Sequence, residues 1–134
     1  MIDFVLHPGS GVAPYLQIVQ QVRQALLLGL LREGDRLPTI KAVVGELAIN
    51  PNTVLKAYRE LELEGLVVAR PGAGTFVRRT LTDDTAVVHE PLRADLRAWL
   101  DRSRRAGLDD ESIEALFWTT FRDRRRAGSK EGVA

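Results

Sequence analysis

The sequence predicts an α+β fold that is mostly α: a three-helix unit closed by a β-hairpin, followed by a two-helix tail. Three observations carry this reading. Apolar residues recur at three- and four-residue spacing in five separate stretches, the mark of helices that bury one face. The second and third of these are joined by only a few residues. So short a turn makes two short helices cross steeply, as in a helix-turn-helix. Behind the third helix, β-branched and apolar residues flank Pro71-Gly72-Ala73-Gly74, which reads as a hairpin.

Taken in order, residues 2–6 (Ile-Asp-Phe-Val-Leu) read as a short strand, and Pro8, Gly9, Ser10 and Gly11 as the loop after it. Pro14 suits the first turn of a helix, where its missing N–H costs nothing. Tyr15, Ile18, Val19, Val22, Leu26 and Leu30 form that helix's apolar face, and Gly34 closes the unit. Thr39 is the expected N-cap of a second helix, with Ile40, Val43, Val44 and Leu47 as its stripe. Asn50 as cap and Pro51 at the first helical position fix the start of the third helix. That helix is expected to run to Glu64, with Gly65 as a left-handed stop. Strands at 66–70 and 75–79 then make a wing.

Residues 80–90 show no strong period and read as a linker. Two amphipathic helices follow over 91–126. Leu92, Leu96, Trp99 and Leu100 share a face of the first. Asp109 or Asp110 caps the second, in which Ile113, Leu116, Phe117, Thr120 and Phe121 recur at helical spacing. Residues 127–134 read as a flexible tail. The expected organisation is therefore 1–79 winged helix-turn-helix, 80–90 linker, 91–126 two-helix C-terminal region, a candidate for dimerisation, and 127–134 tail.

Bulk properties exclude more than they assert. The chain has 134 residues, no cysteine, and a formal net charge of +1. Disulfides and thiolate metal sites are thereby ruled out. Met1-Ile2-Asp3-Phe4-Val5 lacks the pattern of a secretion signal, and no run reaches the ~18 apolar residues of a membrane span. A cytoplasmic protein is expected. Charge is neutral as a guide to nucleic acid, because residues 1–80 carry nine Lys/Arg against seven Asp/Glu and residues 81–134 ten against eleven. A nucleic-acid footprint must be sought in where the charges sit.

The third helix supplies it. With Val54 at the centre of its buried face, Ala57, Tyr58 and Leu61 fall nearby, while Asn52, Lys56 and Arg59 fall opposite. Asn can pair with adenine, and Lys or Arg can reach guanine acceptors in the major groove, which recognition helices read with their N-terminal residues. Lys41, in the first turn of the second helix, is placed to clamp a phosphate. Arg70, Arg78 and Arg79 flank the wing. Glu60, Glu62 and Glu64 repel phosphate, so the far end of the third helix should leave the groove. A solvated helix face is the plainer reading of the same stripe.

Pro14-Tyr15-Leu16-Gln17-Ile18, Gly34-Asp35-Arg36-Leu37-Pro38, Asn50-Pro51-Asn52-Thr53-Val54, Ala57-Tyr58-Arg59-Glu60-Leu61 and Arg70-Pro71-Gly72-Ala73-Gly74-Thr75-Phe76-Val77 resemble the GntR family of bacterial transcription regulators. The Asn-Pro-Asn-Thr-Val stretch and the brief C-terminal region look most like its YtrA-type subfamily. The resemblance implies a winged domain and a two-helix dimerisation tail. It also implies a sequence-specific DNA-binding regulator, a repressor in the commoner case. It places Lys41 where the family has a DNA-contacting arginine, Thr39 where serine is common, Asn50, Asn52 and Thr53 at the recognition-helix start, and Gly72 and Gly74 at the wing tip. Two residues depart from the pattern. Ala48 replaces a glycine in the turn between helices, and Lys41 keeps the charge of arginine without its bidentate fork.

The tail helices are marginal alone; their simplest burial is against a second copy in a two-fold dimer, and the alternative is that they fold back on the winged unit of their own chain. Such a homodimer would read a pseudo-palindromic operator of double-stranded DNA. No cofactor, metal or membrane is expected, and an unidentified small-molecule effector between the tail helices is left open. His7 and His89 both fall in expected loops. No catalytic constellation is visible, so an enzyme is not expected. The rival is a winged-helix module that binds protein or RNA without reading DNA.

Overall fold

The computed structural model describes residues 2–81 and 86–132. The chain divides into two compact units, Met1–His89 and Glu90–Ala134.

The first unit is built from α1 (Pro14–Leu27), α2 (Ile40–Leu47), α3 (Pro51–Leu63), β1 (Val67–Arg70) and β2 (Gly74–Val77). Each start follows from a local device. Pro14 opens α1. The Thr39 hydroxyl accepts the Ala42 N–H at 3.1 Å to open α2, and the Asn50 side chain accepts the Asn52 N–H at 2.8 Å to open α3. These caps satisfy N–H groups that a helix start otherwise leaves unpaired. α3 stops at Glu64, where Gly65 takes φ 76°.

The core is continuous. Ile18, Val22 and Leu26 of α1, Val43 of α2 and Val54, Tyr58 and Leu61 of α3 are buried together with Leu37, Leu66, Val67 and Val77. Side chains of this size contribute about 1.5–3 kcal/mol each when fully buried. The Tyr58 hydroxyl donates to the Pro38 carbonyl at 2.6 Å within this core, tying α3 to the segment that enters α2. Burial pushes its phenol pKa well up.

β1 and β2 pair antiparallel, Val67 opposite Val77 and Arg70 opposite Gly74. The segment before α2 lies along β2. Leu37 N–H donates to Thr75, Gly34 N–H to Val77, and Val77 N–H to Asp35, at 2.7–2.9 Å. The wing thus has a short third member.

Residues 2–6 do not form a strand. Among the described residues no backbone partner lies beside them; instead two glutamines of α1 supply strand-like hydrogen bonds. Gln21 accepts from Val5 N–H and donates to its carbonyl, and the buried Gln17 does the same for His7. Alternating apolarity in a five-residue stretch cannot distinguish an amide side chain from a neighbouring strand. Leu30 is also not on the buried face of α1. That helix ends at Leu27, Gly29 turns the chain at φ 71°, and Leu31 enters the core while Leu30 is 53% exposed.

The second unit holds α4 (Ala86–Arg105), which begins in the first, and α5 (Asp110–Gly132). α4 starts inside the stretch expected to be linker and carries Pro91 in its interior; residues 82–85 of that stretch lie outside the described residues. His89 is accordingly in a helix and not a loop. Asp109 caps α5, accepting the Ser112 N–H at 2.8 Å, and hydrogen bonds from the Ser112 side chain and backbone hold its carboxyl below the usual carboxylate range. α5 runs through Gly132, past the point where a tail was expected. Arg, Ala, Lys and Glu favour helix even where no apolar stripe continues. Residues 133 and 134 lie outside the described residues. No described helix is long and apolar enough to cross a membrane.

Candidate nucleic-acid interface

α3 is held with one face in the core and the other open. Val54, Ala57, Tyr58 and Leu61 are buried, whereas Asn52, Lys56 and Arg59 are exposed. The stripe expected from the 3.6-residue period is therefore the outward one. With Leu55, Glu60 and Leu63, these three donors line a shallow groove of about 430 Å³ along the helix. Leu63, at the far end, is 84% exposed.

Electrostatics divides α3 in two. Among the described residues, none of Lys41, Lys56 and Arg59 is in an ion pair. Of the three carboxylates towards the other end, two are engaged by the fold and Glu60 lines the groove itself. Glu62 accepts the Ala69 N–H of β1 at 2.8 Å, and Glu64 pairs with Arg23 of α1. The outward face of α3 from Asn52 to Arg59 thus presents donors and two cations outside any ion pair, beside the single carboxylate of Glu60, and its last turn is tied back to the protein. Lys56 has a different partner: its Nζ stands 4.0 Å from the centroid of the Tyr15 ring.

The remaining expected site residues are placed as follows. Lys41 is exposed on the first turn of α2, outside the groove. Asn50 accepts the cap hydrogen bond on its side-chain oxygen, and its amide nitrogen is the group that can donate to a ligand. Thr53 is half-buried beside the open face. Gly72 takes φ 77° in the wing turn with nothing within 4 Å of where a Cβ would stand. Gly74 takes φ 127°, and a Cβ there would come within 2.9 Å of the Arg36 Nε. Arg70 lies with its guanidinium carbon 5.0 Å from the Phe76 ring centroid. Arg78 and Arg79 are exposed at the base of the wing.

Two residues were missed by sequence reasoning. Leu55 lies in the same groove as the donors, yet an apolar residue on that face carried no signal. Arg36 is packed against the wing backbone at Gly74 and was passed over within Gly34-Asp35-Arg36-Leu37-Pro38. The signal was its nearness to Leu37-Pro38, which leads directly into the cap of α2.

In the second unit, Leu92, Leu96, Leu116, Phe117 and Phe121 are exposed, by 36–61%, and Trp99 and Leu100 are half-buried. Ile113 departs from the expectation of an interface residue: it is buried within the unit, at 5% exposure. Trp118, not among the expected interface positions, is 54% exposed and meets Phe117 edge-on at 5.4 Å. A groove of about 350 Å³ runs between Leu96 and Trp99 of α4 and Leu116, Phe117 and Phe121 of α5, with Thr120 and Arg124 as its polar groups. Among the described residues, no cluster of three or more His, Asp or Glu side chains is arranged to hold a metal ion.

The family model for bacterial regulatory proteins of the gntR family matches residues 14–77. The HTH-type transcriptional repressor YtrA of Bacillus subtilis (strain 168) is 40% identical over 72 residues, 54% of this chain and 55% of that protein. The uncharacterised HTH-type transcriptional regulator YhcF of the same organism is 30% identical over 99 residues, 74% of this chain and 82% of that protein. A crystal structure from Listeria monocytogenes EGD-e, described as a transcriptional antiterminator, superposes with a TM-score of 0.56 at 28% identity. It covers 91% of this chain and 92% of that one. The chain spans about half the length of the YtrA repressor that it matches.

Proposed function

Because the chain belongs to the GntR family of bacterial regulatory proteins, we propose that it is a transcription regulator that binds a specific sequence of double-stranded DNA. The observation that carries the proposal is the outward face of α3. Asn52, Lys56 and Arg59 stand in one groove within the first turns of a capped helix, free of ion pairs among the described residues. Cations without carboxylate partners suit a polyanion, and an amide among them suits a base edge. Lys41 on α2 and Arg36 and Arg70 by the wing would then hold phosphates on either side, which sets register without reading sequence.

The proposed working form is a homodimer joined through α4 and α5. Leu96, Leu116, Phe117 and Phe121 line one exposed groove and Trp118 packs edge-on against Phe117 and Phe121, a clustering that isolated surface residues do not account for. A two-fold partner covers such a surface with an identical one. Two α3 helices so joined would read half-sites about one helical turn apart. Repression, by occupying a promoter in the cytoplasm, is the proposed outcome. An effector would have its place in the α4–α5 groove, where Arg124 would meet an anionic group.

The test is selection from a random duplex pool with the full chain. A pseudo-palindrome is expected to be enriched, and its affinity should fall steeply with salt, as log K falls linearly with log salt when phosphates are neutralised. Duplex RNA of the same sequence should compete weakly. Equal competition by RNA, or no enrichment, would favour the reading as an RNA- or protein-binding module.

A further inference from the structure

We infer that Tyr15 is a positioning residue for the DNA-reading face: its ring is a platform that stations the Lys56 ammonium at the groove. The inference rests on the operator-binding reading of α3.

Tyr15 is well suited to hold something still. It is the second residue of α1, directly after the proline that opens the helix, and it is half-buried against the core. Lys56 is an exposed lysine on another helix, yet its Nζ is 4.0 Å from the centre of that ring. An ammonium within about 6 Å of an aromatic face is attracted by the ring quadrupole. An exposed lysine otherwise samples many rotamers of a four-carbon stem and must give up that freedom when it binds. The ring removes part of that cost in advance. It engages one side of the ammonium and leaves the N–H donors on the other side available. The two other donors of the stripe have different means: Asn52 is short, and Arg59 has a planar group that matches a base edge. Lys56 is the member that gains most from a platform.

The ring could equally withhold Lys56 from DNA, and the two roles predict opposite signs. The experiment measures affinity for the enriched duplex with wild type, Tyr15→Phe, Tyr15→Leu, Lys56→Ala and the Tyr15→Leu/Lys56→Ala pair. Tyr15→Phe keeps the ring and should stay within about two-fold of wild type. Tyr15→Leu should bind about two- to five-fold more weakly, and should cause no further loss once Lys56 is alanine. A merely structural role for Tyr15 would weaken both backgrounds by the same factor, and that result would overturn the inference. Tighter binding by Tyr15→Leu would overturn it too. A second measurement needs neither DNA nor a folded leucine variant. The Lys56 ε-methylene protons of the wild type should be shifted upfield by the ring current and stay shifted in Tyr15→Phe; unshifted protons refute the platform. The outcomes separate the two claims. If no duplex is enriched, the regulator reading fails and the inference with it. If the duplex binds and Lys56→Ala weakens it while the two losses simply add, only the role of Tyr15 fails.

Discussion

Ala48 closes α2 with φ 53° and ψ 46°, the one non-glycine residue with positive φ among the described residues. Its N–H donates to Val44 at 2.9 Å, so the left-handed turn is what ends the helix. The chain must bend here to bring α3 across α2, and alanine accepts the geometry at a cost. For an L-residue with a Cβ, the left-handed region costs about 1–2 kcal/mol. Replacing Ala48 with glycine relieves this. It also gives the unfolded chain more freedom, which takes back about 0.4–1 kcal/mol. The site is exposed, so no packing is lost. Relief wins, and Ala48→Gly should stabilise the first unit by about 0.5–1 kcal/mol. For a unit of this size that is a rise in Tm of about 2–8 °C. Far-UV circular dichroism melts at matched protein concentration measure it directly, and matching matters because association also raises Tm. Ala48→Asn should fall between the two, since asparagine tolerates this region better than alanine. A Tm that is unchanged or lower in Ala48→Gly would refute the reasoning, and would mean that the alanine methyl contributes more than the backbone conformation costs.

Removing the Tyr58 hydroxyl (Tyr58→Phe) leaves the buried Pro38 carbonyl unsatisfied and should cost about 1–3 kcal/mol in denaturant titrations. The folded phenol has its pKa raised. Its contribution is therefore whole below the unfolded value of about 10 and is lost as pH rises through the folded value. Tyr58→Phe should accordingly show a shallower alkaline loss of stability than wild type, and equal slopes would contradict this. Deleting residues 90–134 should turn a dimer into a monomer by light scattering, and a full-length monomer at micromolar concentration would remove the proposed interface.

Much of the first unit was legible because its signals are local. Thr39, Asn50-Pro51 and Gly65 act within a few residues of themselves, through caps and backbone preferences. The buried face of α3 follows from a period of 3.6, which also places Asn52, Lys56 and Arg59 outward. What escaped depended on partners distant in sequence. The apolar alternation of residues 2–6 could not say that Gln17 and Gln21 would serve as its neighbour. Leu30 continued the period of α1 beyond the point where Gly29 breaks the backbone. Arg36 joins the wing only once the segment before α2 has aligned with β2. Lys56 and Tyr15 meet only when α1 and α3 pack. In the tail, one period described Ile113 and Phe117 alike, yet Ile113 turns inward and Phe117 remains exposed. Periodicity gives a face and not its occupant.

The outward face of α3 is the proposed reading surface, and the measurement that tests it most directly is operator affinity after changing Asn52, Lys56 and Arg59 together to alanine. All three are exposed on the face opposite Val54 and Leu61, so the variant should fold with an unchanged melting curve and the same oligomeric state. Binding to the enriched duplex should drop to the level seen for unrelated DNA. A folded variant that binds the enriched duplex as tightly as wild type would contradict the account.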